Sequence, residues 1–124
     1  MRVFAVKAFR RFQRKETIAD EALCEAIARA ESGLVDADLG HGLIKQRVAR
    51  PGQGRSGGYR TIIAYREGHR AAFLLGFAKN ERDNIDERER RALASQGQRL
   101  LGMSENQVDE FVADGEMWEL SDDD

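Results

Sequence analysis

The sequence holds one cysteine and one proline in 124 residues. Cys24 has no second cysteine to join, so an internal disulfide is excluded, and no cysteine cluster exists to hold zinc. A reducing cytoplasm is the expected setting. Apolar runs are short as well. The opening MRVFAVKAFRRFQRK reaches charge too soon for a signal peptide, and no stretch predicts a membrane span. Beyond Gly102 bases are absent altogether, while nine acids are present.

What is present is a charged chain with enough apolar content for one core. Hydrophobic residues make up 41% and charged residues 34%, the balance of a folded protein rather than a disordered one. The length predicts a single domain over 1–124, with an acidic C-terminal extension from about residue 102. The formal net charge of −2 conceals a strong asymmetry. Between residues 44 and 80 stand Lys45, Arg47, Arg50, Arg55, Arg60, Arg66, Arg70 and Lys79, against Glu67 alone. A basic middle of this kind is an electrostatic footprint for polyanions, although arginines can also simply solvate a strand surface.

Within that middle lies RPGQGRSGGYRT, residues 50–61, which contains the proline and a literal G-x-G-x-x-G over 52–57. A dinucleotide site needs a helix N-terminus directly after such glycines, to present amides to a pyrophosphate. Here YRTIIAY follows, which is a strand pattern. The motif therefore predicts a basic glycine-rich connection between antiparallel strands, with no nucleotide cofactor.

Periodicity supplies the remaining elements. VFAVKAF predicts a short strand, and Ile18, Ala22, Leu23, Ala26, Ile27 and Ala30 predict a helix over about 17–32, stopped by Gly33. Residues 43–50 alternate, with Ile44 and Val48 on one face and Lys45 and Arg47 on the other. Residues 59–66 and 70–79 follow as strands joined by a tight Glu67-Gly68-His69 turn. In the second of these, apolar on both faces and so central, Phe73, Leu75 and Phe77 share one face. Capping boxes at Asp86–Glu89 and Ser104–Gln107 open two helices, the first ending near Leu101 and the second at Gly115. The second should bury Val108, Phe111 and Val112, and GEMWEL beyond it could add a short strand. The order β-α-β-β-β-α-α implies an α+β fold: a small antiparallel or mixed sheet with one N-terminal and two C-terminal helices.

GLIKQRVARPGQGRSGGYRTIIAY, followed by FLLGFAKNERDNID, resembles the RelE/HigB-type toxins of the RelE/ParE toxin–antitoxin superfamily. The resemblance covers residues 39–85, and RSGGYRT together with GFAKNE carries most of its specificity. It implies a cytoplasmic toxin that cuts messenger RNA on the ribosome without a metal or other cofactor, held in check by a cognate antitoxin. By position, Arg60 would stabilise the scissile phosphate. Lys45 and Arg47 would bind the RNA backbone and assist proton transfer, and Lys79 would be a second phosphate contact or an acid. Arg50, Arg55 and Asn80 would bind RNA. The chain departs from the family pattern twice: Asn80 replaces a base common in members, and no tyrosine follows Tyr65.

Cleavage through the substrate's own 2′-OH needs a proton acceptor, cations around the crowded phosphate and a proton donor for the leaving oxygen. His41 and His69 are not placed to share that work. Tyr59 and Tyr65 alternate with Arg60 and are expected in the core. For Arg60 the competing role is an ion pair with an acid of the last helices. Two other functions remain open: a ParE-like gyrase inhibitor of the same fold, and a nucleic-acid-binding domain without toxicity. The terminal acids 122–124 are expected to temper nonspecific RNA binding or merely to solubilise the end.

Overall fold

A computed structural model describes every residue except Pro51, Gln53, Asp83 and 122–124, with the backbone alone at 54–56. The roles expected of the Arg55 side chain and of the acidic terminus lie outside the described residues. In chain order the elements are β1 (Arg2–Val6), α1 (Lys7–Lys15), α2 (Asp20–Glu31), β2 (Ala37–Gly40), β3 (Leu43–Arg50), β4 (Gly54–Arg66), β5 (Arg70–Ala78), α3 (Glu87–Leu101), α4 (Glu105–Ala113) and β6 (Met117–Glu119). They form one mixed sheet in the order β2-β3-β4-β5-β1-β6, in which only β1 and β5 run parallel. The α+β expectation holds, and β5 is indeed an interior strand.

Three elements differ from the sequence reading. The N-terminal strand stops at Val6, and Lys7 begins a helix instead of continuing the strand. Phe9, Phe12 and Gln13 recur at helical spacing on its inner side. The ring of Phe9 lies 5.1 Å from Phe73, and that of Phe12 lies 5.5 Å from Tyr59. Gly76 makes room for this helix, since a Cβ there would sit 2.4 Å from the Phe12 ring. The second difference is that α2 starts at Asp20: buried Gln13 bonds Ile18 O at 3.0 Å and Asp20 Oδ1 at 2.6 Å, shaping the turn between the helices. The third is β2, too short and too acidic to signal a strand, which pairs with β3 nonetheless.

Helices cover the sheet on both sides. α1 and α2 lie over Ile44, Gln46, Val48, Tyr59 and Phe73, and α3 lies over Leu43, Ala64 and Leu74. A register shift between Ile62 and Ile63 inserts Leu74 as an extra residue in β5. Phe73 therefore faces α1, while Leu75 and Phe77 pair with Ile62 and Arg60 on the other face, which corrects the expectation that these three side chains share a face. Both capping boxes form, with Asp86 accepting from Glu89 N–H at 2.8 Å and Ser104 accepting from Gln107 N–H at 3.1 Å. Val108 is fully buried, and Phe111 and Val112 are half-buried beside it.

Candidate functional site

Strand alternation and register assemble the basic residues before any side chain is considered. Leu43, Lys45 and Arg47 point to the α3 side of the sheet, Lys45 pairing with Ile62 and Arg47 with Arg60. Arg60 in turn pairs with Phe77 of β5. α3 covers the Leu43–Ala64–Leu74 end of this face and leaves the other end open. There a cleft of about 370 Å³ is lined by Asp36, Ala37, Lys45, Arg47, Arg60 and Asn84.

Arg60 is the unusual member. Its guanidinium sits on a residue only 8% exposed, and Nη1 is buried without a hydrogen-bond partner among the described residues. Nor does any described acid of the last helices form an ion pair with it, as the competing reading required. Directly across the strand pair stands Arg47, another cation. Like charges facing one another across a sheet repel, and a buried N–H left without a hydrogen bond is costly. An anion entering the cleft would relieve both. Arg82, by contrast, is committed to the fold. It grips Glu89 through two bonds of 3.0 and 2.9 Å and lies 4.8 Å above the Phe77 ring. Glu89 is thereby held below the usual carboxylate range, first by Arg82 and then by its bond to the backbone of Asp86.

The strand bearing the site is held from behind by residues that local pattern does not mark. Fully buried Gln46 accepts Asp36 N–H at 2.7 Å and donates to the carbonyls of Ala26 and Leu34 at 2.9 and 3.2 Å. Asp36, fixed in this way, accepts Arg47 N–H at 2.7 Å. Arg29 of α2 pairs with Asp36 at 3.5 Å and also donates to the Arg47 carbonyl. Such partners become visible only once α2 and β2 have docked.

The other expected residues divide. Lys79 is exposed just past β5, and its N–H bonds Gly58 O at 3.3 Å. Alternation from Phe77 sets it on the face of the cleft, beyond the lining residues. Asn80 is exposed in the following turn, and Asn84 rather than Asn80 lines the cleft. Arg50 lies on the opposite face, where alternation sets it with Ile44 and Val48. There it pairs with Glu16 at 3.5 Å and lies 5.3 Å from the Tyr59 ring centroid. Tyr59 is core, as expected, and its hydroxyl donates to Glu16 at 3.0 Å. Burial, and then Glu16, push that hydroxyl above its ordinary pKa. His41 and His69 are exposed near the C-terminal half of α3, where His41 O accepts from Gln98 and His69 bonds Leu101 O.

Two half-buried or exposed cations and one buried cation, whose Nη1 has no partner among the described residues, surround a single cleft and can neutralise a phosphate and stabilise added negative charge on it. A sequence profile described as the RelE toxin of the RelE/RelB toxin–antitoxin system matches residues 1–120. The chain belongs to the RelE toxin family. Comparison with curated proteins finds no match to it. RelE toxins act in toxin–antitoxin pairs, are generally endoribonucleases that inhibit translation, and are neutralised by an antitoxin of the RelB type. No helix among the described residues is long and apolar enough to cross a membrane.

Proposed function

We propose that this RelE-family toxin is a ribosome-dependent endoribonuclease that cuts messenger RNA by attack of the substrate's own 2′-OH. The observation that carries the reading is Arg60, a buried guanidinium with an unpartnered Nη1, opening on a cleft shared with Lys45 and Arg47. In the reaction the 2′-oxygen forms a bond to phosphorus as the bond to the 5′-oxygen breaks. The products are a 2′,3′-cyclic phosphate and a 5′-hydroxyl. Arg60 neutralises the phosphorane, where charge develops, and Arg47 holds the backbone from across the strand pair. Lys45, half-buried beside them, takes part in proton transfer. Lys79 contacts the next phosphate or protonates the leaving oxygen. The cations do the electrostatic work and the ribosome holds the strand in line, so the reaction needs no metal cofactor.

Induced expression followed by mapping of messenger RNA 5′ ends tests this reading. Cuts at a fixed codon position bearing 5′-hydroxyl ends are expected, as is loss of cleavage on a 2′-deoxy substitution at the cut site. DNA damage with intact messenger RNA would replace it with the gyrase-directed function.

A further inference from the structure

α1 carries KAFRRFQRK, whose inner side packs on the sheet through Phe9 and Phe12. Its outer side is basic throughout. Lys7, Arg10, Arg11 and Arg14 recur at three- and four-residue spacing and so form one stripe, roughly 10 Å long at ~1.5 Å per residue. Among the described contacts only Arg10 of these four has an ion-pair partner, Asp20 at 3.2 Å. Beside the stripe lies Trp118 of the edge strand β6, the only tryptophan of the chain and 47% exposed. The Arg10 guanidinium sits 4.4 Å from the Trp118 ring centroid and that of Arg14 sits 5.7 Å away. A hollow of about 240 Å³ is lined by the four cations with Gly115, Met117 and Trp118, and no acid among the described residues lines it.

This surface is back to back with the Arg60 cleft. α1 lies over Tyr59, Phe73 and Gly76, while Arg60, Lys45 and Arg47 open on the other side of the same sheet. One strand of RNA in the cleft therefore cannot also satisfy α1. We propose that the α1–Trp118 surface is a second RNA-binding site, which takes a single-stranded or looped segment distinct from the strand in the cleft. Lys7, Arg11 and Arg14 would neutralise successive phosphates, and a base would stack on the Arg10–Trp118 pair. Exposed aromatic and guanidinium planes within a basic stripe fit unpaired bases. An acidic protein segment could use the charges but would leave the stacked indole without a purpose. Duplex RNA presents no free base faces to it.

Trp118 is its own reporter. The full chain is titrated with a 2′-O-methyl RNA oligonucleotide, which cannot be cleaved, while indole fluorescence is followed at several salt concentrations. Saturable quenching is expected, with affinity falling steeply as salt rises. Arg60→Ala should leave the quenching intact, because the cleft is on the opposite face. In Arg11→Glu with Arg14→Glu, both exposed side chains, the log–log salt slope should drop by about 1.4, at ~0.7 per lost single-strand phosphate contact. Circular dichroism checks that this double variant is folded, and Lys7→Glu with Arg11→Glu serves as an independent pair. An oligo-glutamate peptide of matched charge should bind weakly and quench little. The inference is overturned if RNA leaves the indole unquenched, or if both charge-reversed pairs bind as the parent does. Tight binding of oligo-glutamate would overturn it in favour of an acidic protein partner. Because no step depends on cleavage, failure here would leave the nuclease reading standing, and the reverse also holds.

Discussion

Asp36 accepts the backbone N–H of Arg47 at 2.7 Å, just before β2 begins, where the outer edge of β3 would otherwise be unpaired. Arg29 completes the bracket by pairing with Asp36 and donating to the Arg47 carbonyl. One ion pair thus satisfies both backbone polar groups of Arg47 in the strand that also carries Lys45. Arg47 is exposed and has no other described anchor, so its aim depends on this bracket.

Asp36→Ala should therefore impair turnover more than it impairs the fold. Losing a displaced group's alignment costs about tenfold to a hundredfold in rate when the shift approaches ~1 Å. The freed N–H can take water at the exposed edge, so stability should fall by only about 1 kcal/mol. Cleavage rates and thermal melts of Asp36→Ala and Arg29→Ala check this. Full activity in both would show that the bracket is not needed for positioning.

Arg60 predicts the opposite pairing of effects. Replacing it by methionine removes a charge aimed at the transition state, for a loss on the order of 10²–10³ in rate. It also removes a buried guanidinium whose Nη1 has no partner among the described residues, a group that costs about 1–3 kcal/mol to bury. Methionine can fill the space beside Phe77 without that cost. Arg60→Met should thus be both inactive and more heat-stable than the parent, the trade expected of a site residue. A destabilised Arg60→Met protein would show that Arg60 serves the fold.

Much of this was legible in the sequence where the signal is local. Capping boxes at Asp86 and Ser104 depend on side chains three residues apart, and the Gly68 turn depends on a residue that tolerates its φ of 67°. Strand alternation also placed Lys45 and Arg47 together. What failed depends on distant chain. α1 was hidden because Phe4, Val6 and Ala8 extend the strand alternation, and because its buried side includes the polar Gln13. The parallel pairing of β1 with β5 joins residues about seventy positions apart, beyond any periodicity. Arg50 is an exception: alternation already sets it with Ile44 and Val48, away from the cleft, and only the resemblance suggested an RNA contact for it. Asp36 and Arg29 acquire their roles only from docking.

Alkaline pH should expose the two tyrosines. Burial raises the Tyr59 hydroxyl pKa, aided by Glu16, and burial also raises that of Tyr65, aided by Glu31. Each hydroxyl is thus bound to its proton more tightly in the folded chain than in the unfolded one. The associated stability is fully present below the unfolded value near 10 and is lost as pH rises through the folded values. Absorbance at ~295 nm should therefore show less tyrosinate at pH 10 than free tyrosines would, of which about half ionise there. Melting temperature should decline above that pH. Glu16→Gln should bring forward the ionisation of Tyr59 alone, and ordinary titration of both residues would contradict the bonding described.

The glycine pair before Tyr59 carries the last prediction. A Cβ on Gly58 would lie 2.2 Å from Val48 O and 2.8 Å from Arg50 N, both backbone atoms of the neighbouring strand. This is the point at which the β3–β4 register shifts, so the strands are close together for a reason that reaches the site. Neither atom can move without opening the hairpin two residues from Arg60. At Gly76 the obstacle is instead the Phe12 ring, 2.4 Å away on a half-buried side chain that can turn aside. Alanine at either position should destabilise, by about 1–3 kcal/mol for overpacking, with Gly58 at the upper end. Activity should separate them further. Gly58→Ala should cut poorly even at temperatures where it is fully folded, because Arg60 and Arg47 lose their alignment across the strand pair, whereas Gly76→Ala should cut normally once folded. Melting curves set the temperature, and cleavage assays below it decide. Equal activity in the two variants would show that the close strand approach serves stability alone.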